Sequence, residues 1–194
     1  MDHAFASGDF SGILPNSHEY VVHPPLGKWM IAWGMAIFGE NAFGWRVSAA
    51  IIGTLAVALL AVAGWLMFRS VTVASIAALL GAVDGLMFVE SRLALLDIFQ
   101  MFWILATFVC LLLDRQAARR RLAANVMKIV DAHGESGLQK IVFGPGSGLH
   151  LWRFAAGICA GAAVAVKWNS LFFIAAMGVL TVFWDMNARR ILGL

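Results

Sequence analysis

The sequence predicts an all-α, polytopic membrane protein with about five transmembrane helices plus one interfacial helix. Hydrophobic residues make up 61% of the 194 residues, charged residues only 13%, and the mean hydropathy is +0.83. A soluble domain is about 45–50% apolar and about 25% charged. The apolar residues form long runs, and Lys and Arg are concentrated in alternate breaks between those runs. This composition argues against a soluble enzyme, a disordered chain and a nucleic-acid-binding protein.

The interfacial helix is predicted at Trp29–Phe38. This apolar stretch is too short to cross a membrane core, which needs roughly 20 residues. Trp29, Trp33 and Ile37 repeat at helical spacing, and Pro25 suits a first helical turn. We therefore expect a helix that lies in the membrane interface.

Five further runs have the apolar character of transmembrane helices. They divide the chain into an external segment with the interfacial helix (1–42), three transmembrane helices (43–113), a cytoplasmic loop (114–148), and two transmembrane helices with a cytoplasmic end (149–194). With alternating helices, ten of the fourteen Lys and Arg residues fall on one side, which the positive-inside rule assigns to the cytoplasm. The five runs are Phe43–Phe68, Val71–Val89, Leu93–Leu113, Leu149–Val166 and Trp168–Trp184.

Ionisable side chains interrupt these runs on the predicted outward half of the membrane. Charges at such depth are costly, so their convergence predicts a polar cavity that opens outward. Cations there suit an anionic lipid headgroup, particularly a phosphate, and carboxylates can orient or deprotonate a hydroxyl acceptor. Transport of an anion would use the same residue types. The side chains are Arg46, Asp84, Glu90, Arg92, Asp97 and Lys167.

Each of these residues also has a purely structural alternative. A cation at a helix end can be an anchor whose charged head reaches the headgroup region, and a carboxylate can belong to a structural ion pair or a helix cap. The alternatives are an anchor for Arg46 and for Lys167, an interhelical pair for Asp84, an ion pair with Arg92 for Asp97, and a turn-shaping role for His23.

No cofactor or metal site is predicted. Cys110 and Cys159 lie inside apolar runs without CxxC spacing, and no group of His, Asp and Glu has the spacing of metal ligands. The glycine-rich stretch 133–148 lacks the pattern of a phosphate-binding P-loop, so we expect a flexible loop there.

Separate segments of the chain, in the same order, resemble the protein O-mannosyltransferase family, most closely its actinobacterial branch. In the last of them the family usually reads Lys-Trp-Ser-Gly, whereas this chain has Asn169 and Ser170. The segments are 21–29 (VVHPPLGKW), 43–46 (FGWR), 84–97 (DGLMFVESRLALLD) and 166–171 (VKWNSL).

The resemblance implies a membrane glycosyltransferase of the GT-C class. Such an enzyme transfers mannose from polyprenyl-phosphate-mannose to Ser or Thr hydroxyls of exported proteins, at the extracytoplasmic face of the plasma membrane. A carboxylate removes the hydroxyl proton while cations stabilise the departing lipid phosphate. By resemblance, the phosphate-binding residues are Arg46, Arg92 and Lys167, the supporting carboxylates are Asp97 and Asp84, and the residues that roof the site are His23 and Lys28.

The sequence departs from the family at the catalytic carboxylates. The family's Asp-Glu pair lies in the first external loop, before the His-Pro-Pro motif, and no Asp-Glu dipeptide occurs in this chain. The catalytic residue is therefore unknown. We expect an N- and C-terminally incomplete fragment that is inactive alone. The alternatives are a non-catalytic lipid-phosphate or anion-binding membrane protein, a remnant, or another GT-C transferase.

Overall fold

The computed structural model describes residues 23–133 and 150–191, and their regular structure is entirely helical. The predicted all-α class is thereby confirmed. The helices, in chain order, are α1 (Leu26–Phe38), α2 (Ala42–Phe68), α3 (Val71–Val83), α4 (Gly85–Leu93), α5 (Leu96–His133), α6 (Leu151–Val166) and α7 (Ser170–Ile191).

Within the described residues, three helices are long and apolar enough to cross a membrane: α2, α5 and α7. The pair α3 and α4 counts as a fourth span only if it is taken together, because its two helices are bent by 58°. The helix α6 has 16 residues, and α1 has 13, so both fall short of the roughly 20 residues that a span needs. The described residues thus contain three or four span candidates, which confirms the polytopic architecture, where the whole sequence predicts about five.

The bend between α3 and α4 differs from the predicted continuous helix Val71–Val89. Asp84 has an extended backbone, with φ −66° and ψ 121°, and its carboxylate accepts a hydrogen bond from the Met87 backbone N–H at 3.3 Å. Aspartate is a good N-cap because its side chain satisfies a backbone donor that a helix start leaves unpaired. The helix α4 therefore begins at Gly85. The helix α5 begins at Leu96 instead of the predicted Leu93.

The predicted cytoplasmic loop 114–148 begins as helix. The helix α5 continues through the polar stretch to His133, which gives it a length of about 57 Å at about 1.5 Å per residue. This stretch is polar but rich in Ala and Arg, which favour helices, and it has neither Gly nor Pro before Gly134. The remainder of the predicted loop lies outside the described residues.

The helices pack through small residues. The buried face of α2 carries Ala49, Gly53 and Ala56, and such residues let helices approach closely where lipid surrounds them. A Cβ atom at Gly53 would lie 2.6 Å from the Ser91 Cβ and 3.8 Å from the Ile98 Cδ1, so α2 contacts both α4 and α5 at this level. A shared core joins α1, α2, α5 and α6, and comprises Ile31, Ala49, Ile52, Ala94, Ile98, Phe99 and Val166.

Candidate functional site

The charged residues singled out from the sequence lie at helix ends. We call the end of the bundle where α1 meets α2, α4 meets α5, and α6 meets α7 the site end. Asn41 starts α2 there, because its side-chain oxygen accepts hydrogen bonds from the backbone N–H groups of Phe43 and Gly44, both at 2.9 Å. Arg46, the fifth residue of α2, therefore lies near this end.

A groove with a volume of about 510 Å³ lies between α2, α3 and α4. Arg46 from α2 and Arg92 from α4 both line it, and they are its only charged lining residues within the described part of the chain. The hydroxyls of Thr54 and Ser91 donate hydrogen bonds to carbonyls of their own helices, each at 2.9 Å. The other lining residues are apolar: Ala50, Gly53, Val57, Gly81, Ala82, Met87 and Phe88.

This arrangement gives the groove a positive charge beside apolar walls. The Arg92 guanidinium carbon lies 5.2 Å from the centre of the Phe88 ring, which is a cation–π contact that orients the side chain. A guanidinium is suited to binding phosphate, because its donors match two phosphate oxygens at once. An apolar molecule with a phosphate head fits such a groove in charge and in polarity.

Lys167 lies outside the set of described residues that line this groove. It occupies the linker between α6 and α7, where its ammonium nitrogen lies 2.6 Å from the Asp97 Oδ1. The ion-pair partner of Asp97 is therefore Lys167. The ion pair with Arg92, which was the structural alternative for Asp97, is not formed within the described part of the chain. Glu90 is close enough to interact electrostatically with Asp84, Asp97 and Lys167. Of the three proposed phosphate-binding cations, the structure thus brings two into one groove and places the third in an ion pair.

The start of α1 packs next to this ion pair. A Cβ atom at Gly27 would lie 2.7 Å from the Leu96 Cδ2 and 3.1 Å from the Val166 Cγ1, and these residues directly precede Asp97 and Lys167. His23 and Lys28 flank this contact in sequence, so both belong to the site end. Asp84, in contrast, serves as the N-cap of α4.

A buried polar contact beside Lys167 was missed by the sequence analysis. Gln100 is 5% exposed, and its side-chain amide donates hydrogen bonds to Asn169 and Ser170. The sequence feature that could have indicated this contact is a glutamine inside an apolar run, one helical turn after Asp97.

The opposite end of the bundle has a separate charged cluster, which the sequence analysis also missed. Arg153 of α6 contacts Asp114 of α5 at 2.7 Å and Asp185 of α7 at 3.1 Å. Asp114 is 2% exposed, and the His150 ring lies 3.1 Å from its second oxygen. These contacts join three helices across the bundle. They hold the helices together far from the groove, so we assign them a structural role.

No group of three or more potential metal ligands occurs within residues 23–133 and 150–191. The groups that the residues of the site end offer to a ligand are guanidinium, ammonium, carboxylate and apolar surface. Such a set can bind an anionic headgroup and can influence charge that develops on it.

Comparison with known proteins identifies the family. The family described as "Dolichyl-phosphate-mannose-protein mannosyltransferase" matches residues 36–127, a range that includes Arg46, Asp84, Arg92 and Asp97. His23, Lys28 and Lys167 lie outside this matched range. No solved structure gives a significant match.

Relatives with the name "Polyprenol-phosphate-mannose--protein mannosyltransferase" match most of the chain. The relative from Mycobacterium tuberculosis (strain H37Rv) is 42% identical over 170 residues, which are 88% of this chain and 31% of the relative. The relative from Corynebacterium glutamicum is 39% identical over 181 residues, 92% of this chain and 33% of the relative. The chain thus spans about a third of the length of these curated relatives.

A shorter match reaches a different kind of transferase. The "Undecaprenyl phosphate-alpha-4-amino-4-deoxy-L-arabinose arabinosyl transferase" of Pseudomonas aeruginosa (strain LESB58) is 37% identical over 106 residues, which are 54% of this chain and 19% of that protein. The mannosyltransferase relatives match a larger share of the chain at higher identity. Residues 36–127 therefore form a dolichyl-phosphate-mannose-protein mannosyltransferase family region, and most of the chain is similar to such enzymes, as its sequence motifs predicted.

Proposed function

We propose that this chain supplies the lipid-phosphate-binding part of an enzyme that transfers mannose from polyprenyl-phosphate-mannose to Ser or Thr hydroxyls of exported proteins. The observation that carries the proposal is the groove between α2, α3 and α4, with Arg46 and Arg92 as its charged residues and apolar side chains as its walls. A polyprenyl phosphate has this combination of an anionic head and a long apolar tail.

The names of the two kinds of relative support the phosphate as the recognised group. One name specifies polyprenol-phosphate-mannose and the other an undecaprenyl phosphate sugar, so the sugars differ while the polyprenyl phosphate is common to both. The shorter match to the arabinosyl transferase covers about half of this chain. A binding site for the shared part of the donor is the function that accounts for similarity to both.

In the proposed reaction, the bond between the sugar and the phosphate breaks, and the acceptor hydroxyl forms a new bond to the sugar carbon. Negative charge then develops on the leaving phosphate. Cations that are already fixed in place stabilise this charge at little cost in reorganisation. We assign this role to Arg46 and Arg92, with Lys167 as a third cation at the same end.

The acceptor hydroxyl must lose its proton to a carboxylate. The sequence has no Asp-Glu dipeptide, so we assign the general base to no residue of this chain. Asp97 has a supporting role in this proposal, because it holds the Lys167 ammonium at 2.6 Å. Asp84 supports the groove by starting α4, the helix that carries Arg92. His23 and Lys28 roof the site from the start of α1.

We further propose that the site end faces the extracytoplasmic side of the plasma membrane. The alternation of the apolar runs assigns ten of the fourteen Lys and Arg residues to the other side, and the positive-inside rule associates that bias with the cytoplasm. Exported acceptor proteins are reached from this side.

A second candidate is a transferase that uses a different sugar on the same lipid. The match to the arabinosyl transferase favours it specifically. Its donor shares the polyprenyl phosphate, so the groove is compatible with both candidates, and only the transferred sugar distinguishes them.

Sugar transfer is best tested in a chimera in which this chain replaces the matching third of the Mycobacterium tuberculosis relative. Membranes with the chimera receive polyprenyl-phosphate-mannose or the aminoarabinose donor, together with a Ser/Thr-rich peptide. We expect mannosyl transfer to the peptide, and none from the 194-residue chain alone. Transfer of aminoarabinose only would support the second candidate. A chimera that inserts into membranes at the relative's level but transfers neither sugar would contradict the proposal.

A further inference from the structure

Gln100 carries a buried amide within the span α5 that the proposed phosphate site does not itself use. The residue is 5% exposed, and a buried amide is costly unless its polar atoms find partners. Its Nε2 donates to the Asn169 Oδ1 at 2.5 Å and to the Ser170 Oγ at 2.9 Å. Both acceptors belong to the junction between α6 and α7, so the amide joins this junction to α5.

The junction is also attached to the end of α6. Ser170 is fully buried, and its hydroxyl donates to the Ala163 carbonyl at 2.9 Å. The same carbonyl accepts the Lys167 backbone N–H at 3.1 Å. Residues 167–170 are thus bound to two different helices, and Ser170 takes part in both attachments.

Lys167 lies at the first position of this junction, where the helix has ended and the backbone is extended, with φ −155°. Its side chain is long and flexible, so ordering it carries an entropic cost. A fixed backbone reduces the set of positions that the ammonium can reach. The Asp97 carboxylate, which the ammonium contacts, lies on α5 one helical turn before Gln100. Residues at this spacing share a helix face.

We propose that Gln100 is a positioning residue, which holds the junction 167–170 against α5 so that the Lys167 ammonium stays beside Asp97 at the site end. This inference rests on the proposed function, because it concerns a cation of the lipid-phosphate site. The effect is indirect: Gln100 contacts Asn169 and Ser170, and it acts on the ligand only through Lys167.

The test uses the 194-residue chain, purified in detergent, with polyprenyl phosphate as the probe. Gln100→Leu keeps a similar volume and removes the amide. Thr107→Val is the matched control, since Thr107 is equally buried on α5 but donates only to its own helix, to the Trp103 carbonyl at 2.8 Å. We expect Gln100→Leu to weaken binding of polyprenyl phosphate about fivefold or more and Thr107→Val to change it less than about twofold. Only Gln100→Leu releases the junction that positions the Lys167 ammonium.

A double-mutant cycle with Lys167→Met separates positioning from general destabilisation. If Gln100 acts through Lys167, then Gln100→Leu weakens binding less than about twofold once Lys167 is replaced, because coupled residues are non-additive. The same loss in both backgrounds would show a merely structural role and overturn the proposal. If Gln100→Leu does not give a folded protein, Asn169→Ala removes one of the two contacts and enters the same cycle.

Hydrogen exchange tests the inference independently of ligand binding. The amides of Ser170, Leu171 and Phe172 donate to carbonyls of the junction. We expect Gln100→Leu to accelerate exchange in 167–172 and to leave the interior of α6 unchanged. Unchanged exchange in 167–172 would overturn the inference. If the wild-type chain does not prefer polyprenyl phosphate over polyprenol, the result counts against the proposed function. The exchange result still decides whether Gln100 holds the junction.

Discussion

The Lys167 ammonium lies 2.6 Å from the Asp97 carboxylate, across 70 residues of sequence. This ion pair joins the junction between α6 and α7 to the first turn of α5. It is partly exposed, with 23% of the Lys167 side chain and 44% of the Asp97 side chain accessible. Neither side chain is buried, so both charged groups are open to contact with a ligand.

The two residues of this pair should therefore show energetic coupling. We expect Asp97→Asn and Lys167→Met to be non-additive by about 0.5–3 kcal/mol in the free energy of unfolding, as is typical of residues in contact. Thermal unfolding of the single and double variants in detergent measures this coupling. Additive effects would mean that the pair contributes nothing to stability.

The cluster at the opposite end should contribute more to stability. Arg153→Met leaves Asp114, which is 2% exposed, without its closest cation. Removal of one partner of a buried ion pair typically costs about 3–5 kcal/mol. We expect a loss near that range for Arg153→Met, and only partial rescue by Arg153→Lys because an ammonium cannot reproduce the guanidinium geometry. The control is Arg120→Gln, an exposed site on the same side, which should be neutral.

Asp84 should act mainly as a helix cap. Replacing an aspartate N-cap by alanine typically costs about 1 kcal/mol, whereas asparagine also accepts the hydrogen bond that Met87 donates. We therefore expect Asp84→Ala to lower the unfolding temperature and Asp84→Asn to leave it nearly unchanged. Equal losses in both variants would instead assign the effect to the negative charge.

The contact between α1 and α2 depends on glycine. A Cβ atom at Gly34 would lie 2.5 Å from the Gly44 carbonyl oxygen and 2.6 Å from the Ser48 Oγ. We expect Gly34→Ala to destabilise the protein by about 1–3 kcal/mol, as overpacked sites do. Gly157 of α6 is the matched control, because a Cβ there meets nothing within 4 Å. Gly157→Ala should be neutral or stabilise by up to about 1 kcal/mol. Similar losses at both positions would exclude steric packing as the cause.

The sequence alone predicted the helical membrane fold and the gathering of charges at one end of it. Both follow from local patterns, since apolar runs define spans and alternation of spans assigns each break to one side. The sequence did not predict which charged side chains form ion pairs. Arg92 and Asp97 are five residues apart and are natural partners in sequence, but α4 ends between them, and Asp97 lies in the first turn of a new helix beside the α6–α7 junction.

Helix boundaries were predicted less well, for two physical reasons. An aspartate such as Asp84 is read either as a costly charge inside a span or as a cap that interrupts it, and only tertiary packing decides between them. The stretch 114–133 is polar, which is typical of loops, but its residues are good helix formers and continue α5. The cluster around Arg153 was missed because its members come from three separate helices.

In the proposed function, the groove with Arg46 and Arg92 binds a lipid phosphate. The most direct test compares the affinity of the purified chain for polyprenyl phosphate and for the matching polyprenol, which lacks the charge. We expect the phosphate to bind about tenfold more tightly or better, with that preference lost in Arg46→Gln and Arg92→Gln and retained in Arg120→Gln, because a charge-assisted hydrogen bond contributes about 1.5–3 kcal/mol. Equal affinity for both lipids, or a preference that survives both groove variants, would show that the groove does not recognise the phosphate.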